Sequence, residues 1–155
     1  MKKLLLLLLA SLLLLSACGK GVAETPTEEE TKKPTAYEAL TGYDKEFFDA
    51  FKNYIPQFND PSSVRVTQIY YIETQTYGNY FLTKVNARNG FGGIATTQYV
   101  MSDRWIGTVE TRTAEYQAAS NYLYALSRDT SLVVFFDLDA IHLAVREYLE
   151  EKGLA

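Results

Sequence analysis

The chain has 155 residues, with a single cysteine, Cys18, a single histidine, His142, and 19 carboxylates. That inventory limits the chemistry it can perform. A Ser-His-acid triad would have to use His142, which stands beside Ile141 and three residues after Asp139, the spacing of a hydrogen bond on a helix surface. No Gly-x-Ser-x-Gly elbow accompanies it. One histidine and one cysteine leave only carboxylates as metal ligands. Asp137-Leu138-Asp139 has the pattern of a helix start and lacks that of a calcium loop. The glycines of Asn89-Gly90-Phe91-Gly92-Gly93 could close backbone amides on a phosphate, but no Lys-Ser/Thr follows and the next run is strand-like. A hairpin turn, with Gly92 and Gly93 at a bulge or close approach, is the better reading. Fourteen carboxylates from Asp44 onward leave acid-base chemistry open without singling out a pair. No catalytic residue, metal site or cofactor is assigned.

Cys18 belongs to a different chemistry. Lys2 and Lys3 form a positive start, and the run from Leu4 to Leu15, broken only by Ala10 and Ser11, is too short to span a bilayer as a stable helix. Leu15-Ser16-Ala17-Cys18 closes that run and resembles the lipobox of bacterial prolipoproteins. The resemblance implies a signal peptide over residues 1–17, cleavage before Cys18, and a diacylglyceryl group on its thiol. Two acyl chains hold a protein on a membrane lastingly, at about 0.8 kcal/mol per buried methylene. The expected location is the outer face of the cell membrane.

Loss of Lys2 and Lys3 with the signal peptide takes the formal charge from −4 to −6, which disfavours nucleic acid as a partner. Acylation also removes the only thiol, so the exported domain has no disulfide and must be stable by burial alone. Aromatic residues supply that burial: they make up 14% of the chain, with 12 Tyr and 8 Phe. Residues 18–40 form the lipidated cysteine and a tether, since Gly19 to Ala39 is rich in Gly, Pro, Thr, Glu and Lys and includes Glu28-Glu29-Glu30. Such a segment has an average span of roughly 25 Å. Residues 41–155 form one domain.

Within that domain, Thr41 to Asp44 has the spacing of a capping box, and Tyr43, Phe47, Phe51 and Ile55 predict a helix over 43–55, ended by Pro56. Three turn signals, Gly78-Asn79, Asn89-Gly90 and Asp103-Arg104, cut Val64–Glu110 into four strands, an antiparallel meander. If each turn has two residues, Ile72 opposes Val85, Val85 opposes Ile94 and Val100 opposes Gly107. One face then collects Val64, Val66, Tyr70, Ile72, Phe81, Val85, Ile94, Val100, Trp105 and Val109 as core. Thr113 opens a helix to about Ser127, and Asp137 caps a last helix with Leu138, Ile141, Val145 and Tyr148 on its stripe, stopped at Gly153. Leu132–Phe136 is open between a fifth strand and a buried lead-in. The fold class is α+β, a four-stranded meander with one N-terminal and two C-terminal helices. Asp60-Pro61-Ser62-Ser63-Val64, the Asn89–Gly93 run, Asp137 and Ile141 together resemble small exported modules of Gram-positive bacteria. That likeness carries no catalytic or binding residue with it.

In this register the second sheet face aligns Tyr77, Tyr80 and Tyr99 as a row, a candidate contact surface for an envelope protein or glycan. Cross-strand aromatic pairs also simply stabilise sheets. The function expected is a non-catalytic, membrane-anchored binding module. A small envelope hydrolase using carboxylates and a structural accessory subunit are the alternatives.

Overall fold

A computed structural model describes residues 33–128 and 133–155, so the expected signal peptide, the lipobox and most of the tether lie outside the described residues, as does Leu132. The architecture is α+β: a four-stranded antiparallel sheet in the order β1-β2-β3-β4, with helices on both faces. The strands are β1 (Arg65–Thr74), β2 (Gly78–Arg88), β3 (Ile94–Met101) and β4 (Ile106–Thr108).

The fold begins earlier than expected. A short helix α1 (Ala36–Ala39) lies inside the stretch assigned to the tether, and Ala36 and Leu40 are buried. Its cap is a true capping box: the Glu38 amide donates to Thr35 Oγ1 (3.2 Å) and the Thr35 amide donates to Glu38 Oε2 (2.8 Å). Thr41, where that motif was expected, precedes α2 (Gly42–Phe51) but makes no side-chain cap bond. α2 buries Phe47, Phe48, Ala50 and Phe51 and stops before Pro56, which instead opens a 3-10 turn (Ile55–Gln57); a second such turn follows (Pro61–Ser63).

The predicted strands and their order are present, but two of the three registers differ. β1 pairs with β2 as Ile72↔Tyr80 and Tyr70↔Leu82, and β2 pairs with β3 as Phe81↔Met101 and Leu82↔Val100. The two glycine turns are longer than two residues. Gly78 does adopt positive φ (+70°), but it closes a loop over residues 75–77, in which Thr74 Oγ1 accepts from the Tyr77 amide. In the second loop Gly92 takes the positive φ (+82°). Only the third turn has the expected register, with Val100 opposite Gly107.

Both shifts are odd, so β2 is turned over relative to its neighbours. Tyr70, Ile72 and Val100 stay together and meet Tyr80 and Leu82, with Trp105 and Val109 at their margin. Phe81 and Val85 go to the other face with Val64, Val66, Ile69 and Met101, while Ile94 is exposed. Val66 reaches that side through a bulge in β1 between Val66 and Gln68. The sheet therefore has two cores where one was expected. α3 (Thr113–Leu126) covers the first through Ala119 and Leu123, and α1, α2 and α4 (Leu138–Lys152) cover the second.

Between α3 and α4, residues 133–136 are neither a strand nor wholly buried: Phe136 packs on Phe47 and Phe81, while Phe135 faces solvent. α4 is capped as predicted, with Asp137 Oδ1 accepting from the Ala140 amide (2.9 Å) and Gly153 left-handed at its end.

The register gives a direct test. In a Cys18→Ser background, Glu73→Cys/Asn79→Cys joins directly opposed positions and forms a cross-strand disulfide on mild oxidation. Glu73→Cys/Lys84→Cys, which the two-residue turn would pair, remains reduced by mass spectrometry.

Candidate functional site

The tyrosine row does not exist in the fold. Tyr80 is fully buried beneath α3, its hydroxyl donating to the Glu115 carbonyl (2.7 Å), and its ring lies 5.9 Å from that of Trp105. Tyr99 lies on the opposite face, half-buried against Phe58 at 6.0 Å, and Tyr77 stands in the β1–β2 loop. The cause is the turned-over strand: Tyr80 and Tyr99 share a face only in the register that a two-residue turn would give. Burial, followed by the charge of Glu115, pushes the Tyr80 hydroxyl up to about 12, so it stays protonated and remains a donor.

His142 is also accounted for. Its Nε2 lies 2.8 Å from the Val66 carbonyl, which can only accept, so Nε2 carries the proton. This bond ties α4 to the β1 bulge in place of the expected Asp139 contact. Across the bulge, buried Thr83 donates to the Gln68 carbonyl (2.7 Å). His142 also borders a cleft of about 420 Å³ with Arg65, Arg146 and Asp139.

A groove of about 680 Å³ opens where α1, the end of α2 and the outer side of α4 meet. Tyr37, Phe48 and Tyr148 form its aromatic floor, with ring centres 5.6 Å (Tyr37–Phe48) and 6.2 Å (Phe48–Tyr148) apart. Lys52 and Lys152 stand on its rims with Glu147, Glu150 and Glu151. Cations lean over the rings: Lys45 and Lys52 lie 4.2 and 5.2 Å from the centre of Tyr37, and Lys152 lies 5.6 Å from that of Tyr148. Glu147 accepts from the Ala36 amide (2.6 Å), so its carboxylate holds α1 against α4.

Asp49 organises the α2 side. It accepts from Lys52 (2.5 Å), Lys45 (2.7 Å) and the Tyr37 hydroxyl (3.1 Å), and Lys45 also donates to that hydroxyl. Partial burial would raise the Asp49 carboxyl, but these hydrogen bonds outweigh it and hold the group below its ordinary 3.8. Lys45 is correspondingly raised, first by its bond to Asp49 and then by that to Tyr37. The groove thus has fixed charges of both signs beside flat apolar rings, an arrangement suited to binding a mixed-charge chain. Among the described residues, no three His, Cys, Asp or Glu side chains converge as a metal centre. Also among them, no helix is long and apolar enough to cross a membrane.

Sequence reasoning missed this groove. Tyr37 fell in a hydrophilic segment, and only the Lys45-Asp49-Lys52 spacing, at i+4 and i+3, signalled a helix-surface ion cluster. Comparison with family models, with curated proteins and with solved structures gives no match.

Two outcomes follow. Tyr80→Phe lowers stability by about 1 kcal/mol in denaturant titration, whereas Tyr80→Ala costs about 3–5 kcal/mol by opening a cavity under α3. Asp49 has a depressed carboxyl, so its contribution is complete above pH 3.8 and is lost as pH falls through the lower folded value. Asp49→Asn therefore lowers stability by about 0.5–1 kcal/mol at pH 7, as befits a half-exposed pair, and that deficit shrinks below pH 3.8.

Proposed function

We propose that the chain is an exported lipoprotein, held on the outer face of the cell membrane through Cys18, whose domain binds a segment of another envelope protein in the α1–α2–α4 groove. The anchor rests on Leu15-Ser16-Ala17-Cys18 behind a short apolar run. The observation that carries the binding half is the aromatic floor of Tyr37, Phe48 and Tyr148 between rims bearing both lysines and glutamates. An extended peptide offers side chains of both signs and apolar groups in one strand, which matches such a lining better than a uniformly charged polymer does. The groove now takes the place of the tyrosine row as the contact surface.

The hydrolase alternative gains less support. It needs a carboxyl held high enough to donate a proton, yet Asp49, Asp60 and Glu110 are all displaced downward. At Asp49 burial is the largest single influence and raises the carboxyl, but the hydrogen bonds of Lys45, Lys52 and Tyr37 together outweigh it; the bond of Ser62 leads at Asp60 and that of Thr108 at Glu110.

Cys18→Ser is expected to move the protein from the membrane to the soluble fraction with its thermal unfolding unchanged; a membrane-bound, acylated Cys18→Ser product overturns the anchor. For the groove, a photo-reactive amino acid in place of Asn53 or Glu150 is expected to give one discrete envelope-protein adduct in living cells. Placed at exposed Gln117 on α3, in the opposite layer, it gives none. Equal adducts from both layers, or none from the groove, overturn the binding half.

A further inference from the structure

The β2–β3 hairpin projects beyond the rest of the sheet. β1 begins opposite Asn86 and β4 reaches only to Tyr99, so neither neighbour flanks the loop over residues 89–93. At its tip Phe91 is fully exposed, and Ile94 is 75% exposed at the first strand position behind it. The loop is nonetheless tightly held. Asn89 Oδ1 accepts from the amides of Phe91 and Gly93 (3.0 Å each), the Asn89 amide donates to the Gly93 carbonyl (2.8 Å), and the Gly92 amide donates to the Asn89 carbonyl (3.0 Å).

Two properties of this tip bear on what covers it. The chain from Asn89 to Ser102 carries no charge, although 22% of all residues are charged. Four loop amides are satisfied internally, so moving the tip out of water exposes few unpaired donors to an apolar medium, the usual obstacle to inserting a loop. The apolar area of two side chains falls well short of the roughly 800 Å² per partner of a standard protein interface, which argues against a second copy or another protein as the main occupant. It matches the shallow insertion of a few apolar side chains at a bilayer surface.

We propose that Phe91 and Ile94 form a wedge that enters the acyl boundary of a bilayer and fixes the orientation of the domain on it. This rests on the anchored reading, which supplies proximity. Fourteen residues lie between Cys18 and Lys33, a reach of up to about 50 Å, more than the roughly 35 Å diameter of a domain this size. Tethering makes a contact too weak to capture a free protein effectively intramolecular. Arg88, at the root of the loop and paired with Asp60 at 3.1 Å, is then placed near headgroup depth.

The test uses the full acylated chain, reconstituted in phosphatidylcholine vesicles with brominated acyl chains, as wild type and as Phe91→Trp. The only native tryptophan, Trp105, lies at the other end of β3, about 25 Å away along the strand, and serves as an internal reference. In protein that floats with the vesicles, the indole introduced at the tip is expected to shift blue and lose at least half its emission, with the Trp105 signal unchanged. Flotation with an unquenched, water-like indole overturns the wedge and leaves the anchor standing. An indole shielded from water but unquenched indicates a protein surface at the tip and overturns it as well. Failure of the acylated chain to float overturns the anchor and the wedge together.

Discussion

Strand β2 is buried from both sides, and the rest of the fold is arranged to make that possible. Four consecutive residues, Tyr80, Phe81, Leu82 and Thr83, are each almost fully inaccessible and point alternately into two cores. No disulfide joins the described residues, so the domain depends on this double burial. A sheet with one wet face would leave Tyr80, Leu82, Ile72 and Val100 in water, at about 25 cal/mol for each Å² of apolar surface. α3 is therefore structural before it is anything else. On the other face Phe47 links three elements, with ring centres 5.5 Å from Phe51, 5.4 Å from Phe81 and 6.3 Å from Phe136. The Phe51 ring is stacked on it and the other two meet it edge-on, contacts that add specificity to the area they bury.

The β1 bulge is the second device. An unbroken strand would send Val66 to the α3 side with Tyr70 and Ile72; one extra residue, Thr67, returns it to the helical face. The carbonyls on either side are taken up by His142 and Thr83. The only imidazole in the chain is thus used to close a break in a ladder, which accounts for its position on α4.

Element identity was legible in the sequence, and register was not. The strands, their order, α3, the Asp137 cap and the Gly153 stop all follow from turn residues and apolar spacing. The two glycine turns misled because a glycine marks where positive φ falls without stating how many residues precede it. Gly78 closes a three-residue loop and Gly92 a five-residue one, and each odd displacement exchanged the faces of β2. A strand covered on both sides also has no polar alternation to reveal the error, since Tyr80 to Thr83 reads as continuously buried. The short third turn, whose sequence is the least turn-like, is the one with the expected pairing. At the candidate site, Asp49 and its lysines were visible as helix spacing, but the floor was not. Tyr37 sits in a Pro- and Glu-rich approach, and its neighbours Phe48 and Tyr148 come from helices on one face that all four strands and α3 separate in sequence.

The clamp of α1 on α4 has a mechanical meaning. The Ala36 amide holds Glu147, and Ala36 and Leu40 share the core that also holds Leu149. Tension arriving from the N-terminal side meets the contact of α1 with the last helix before it reaches the strands. A pull too strong for the clamp would first peel away four helical residues and open one wall of the aromatic groove, so that the state of the groove would register force on the chain before the domain itself began to unfold.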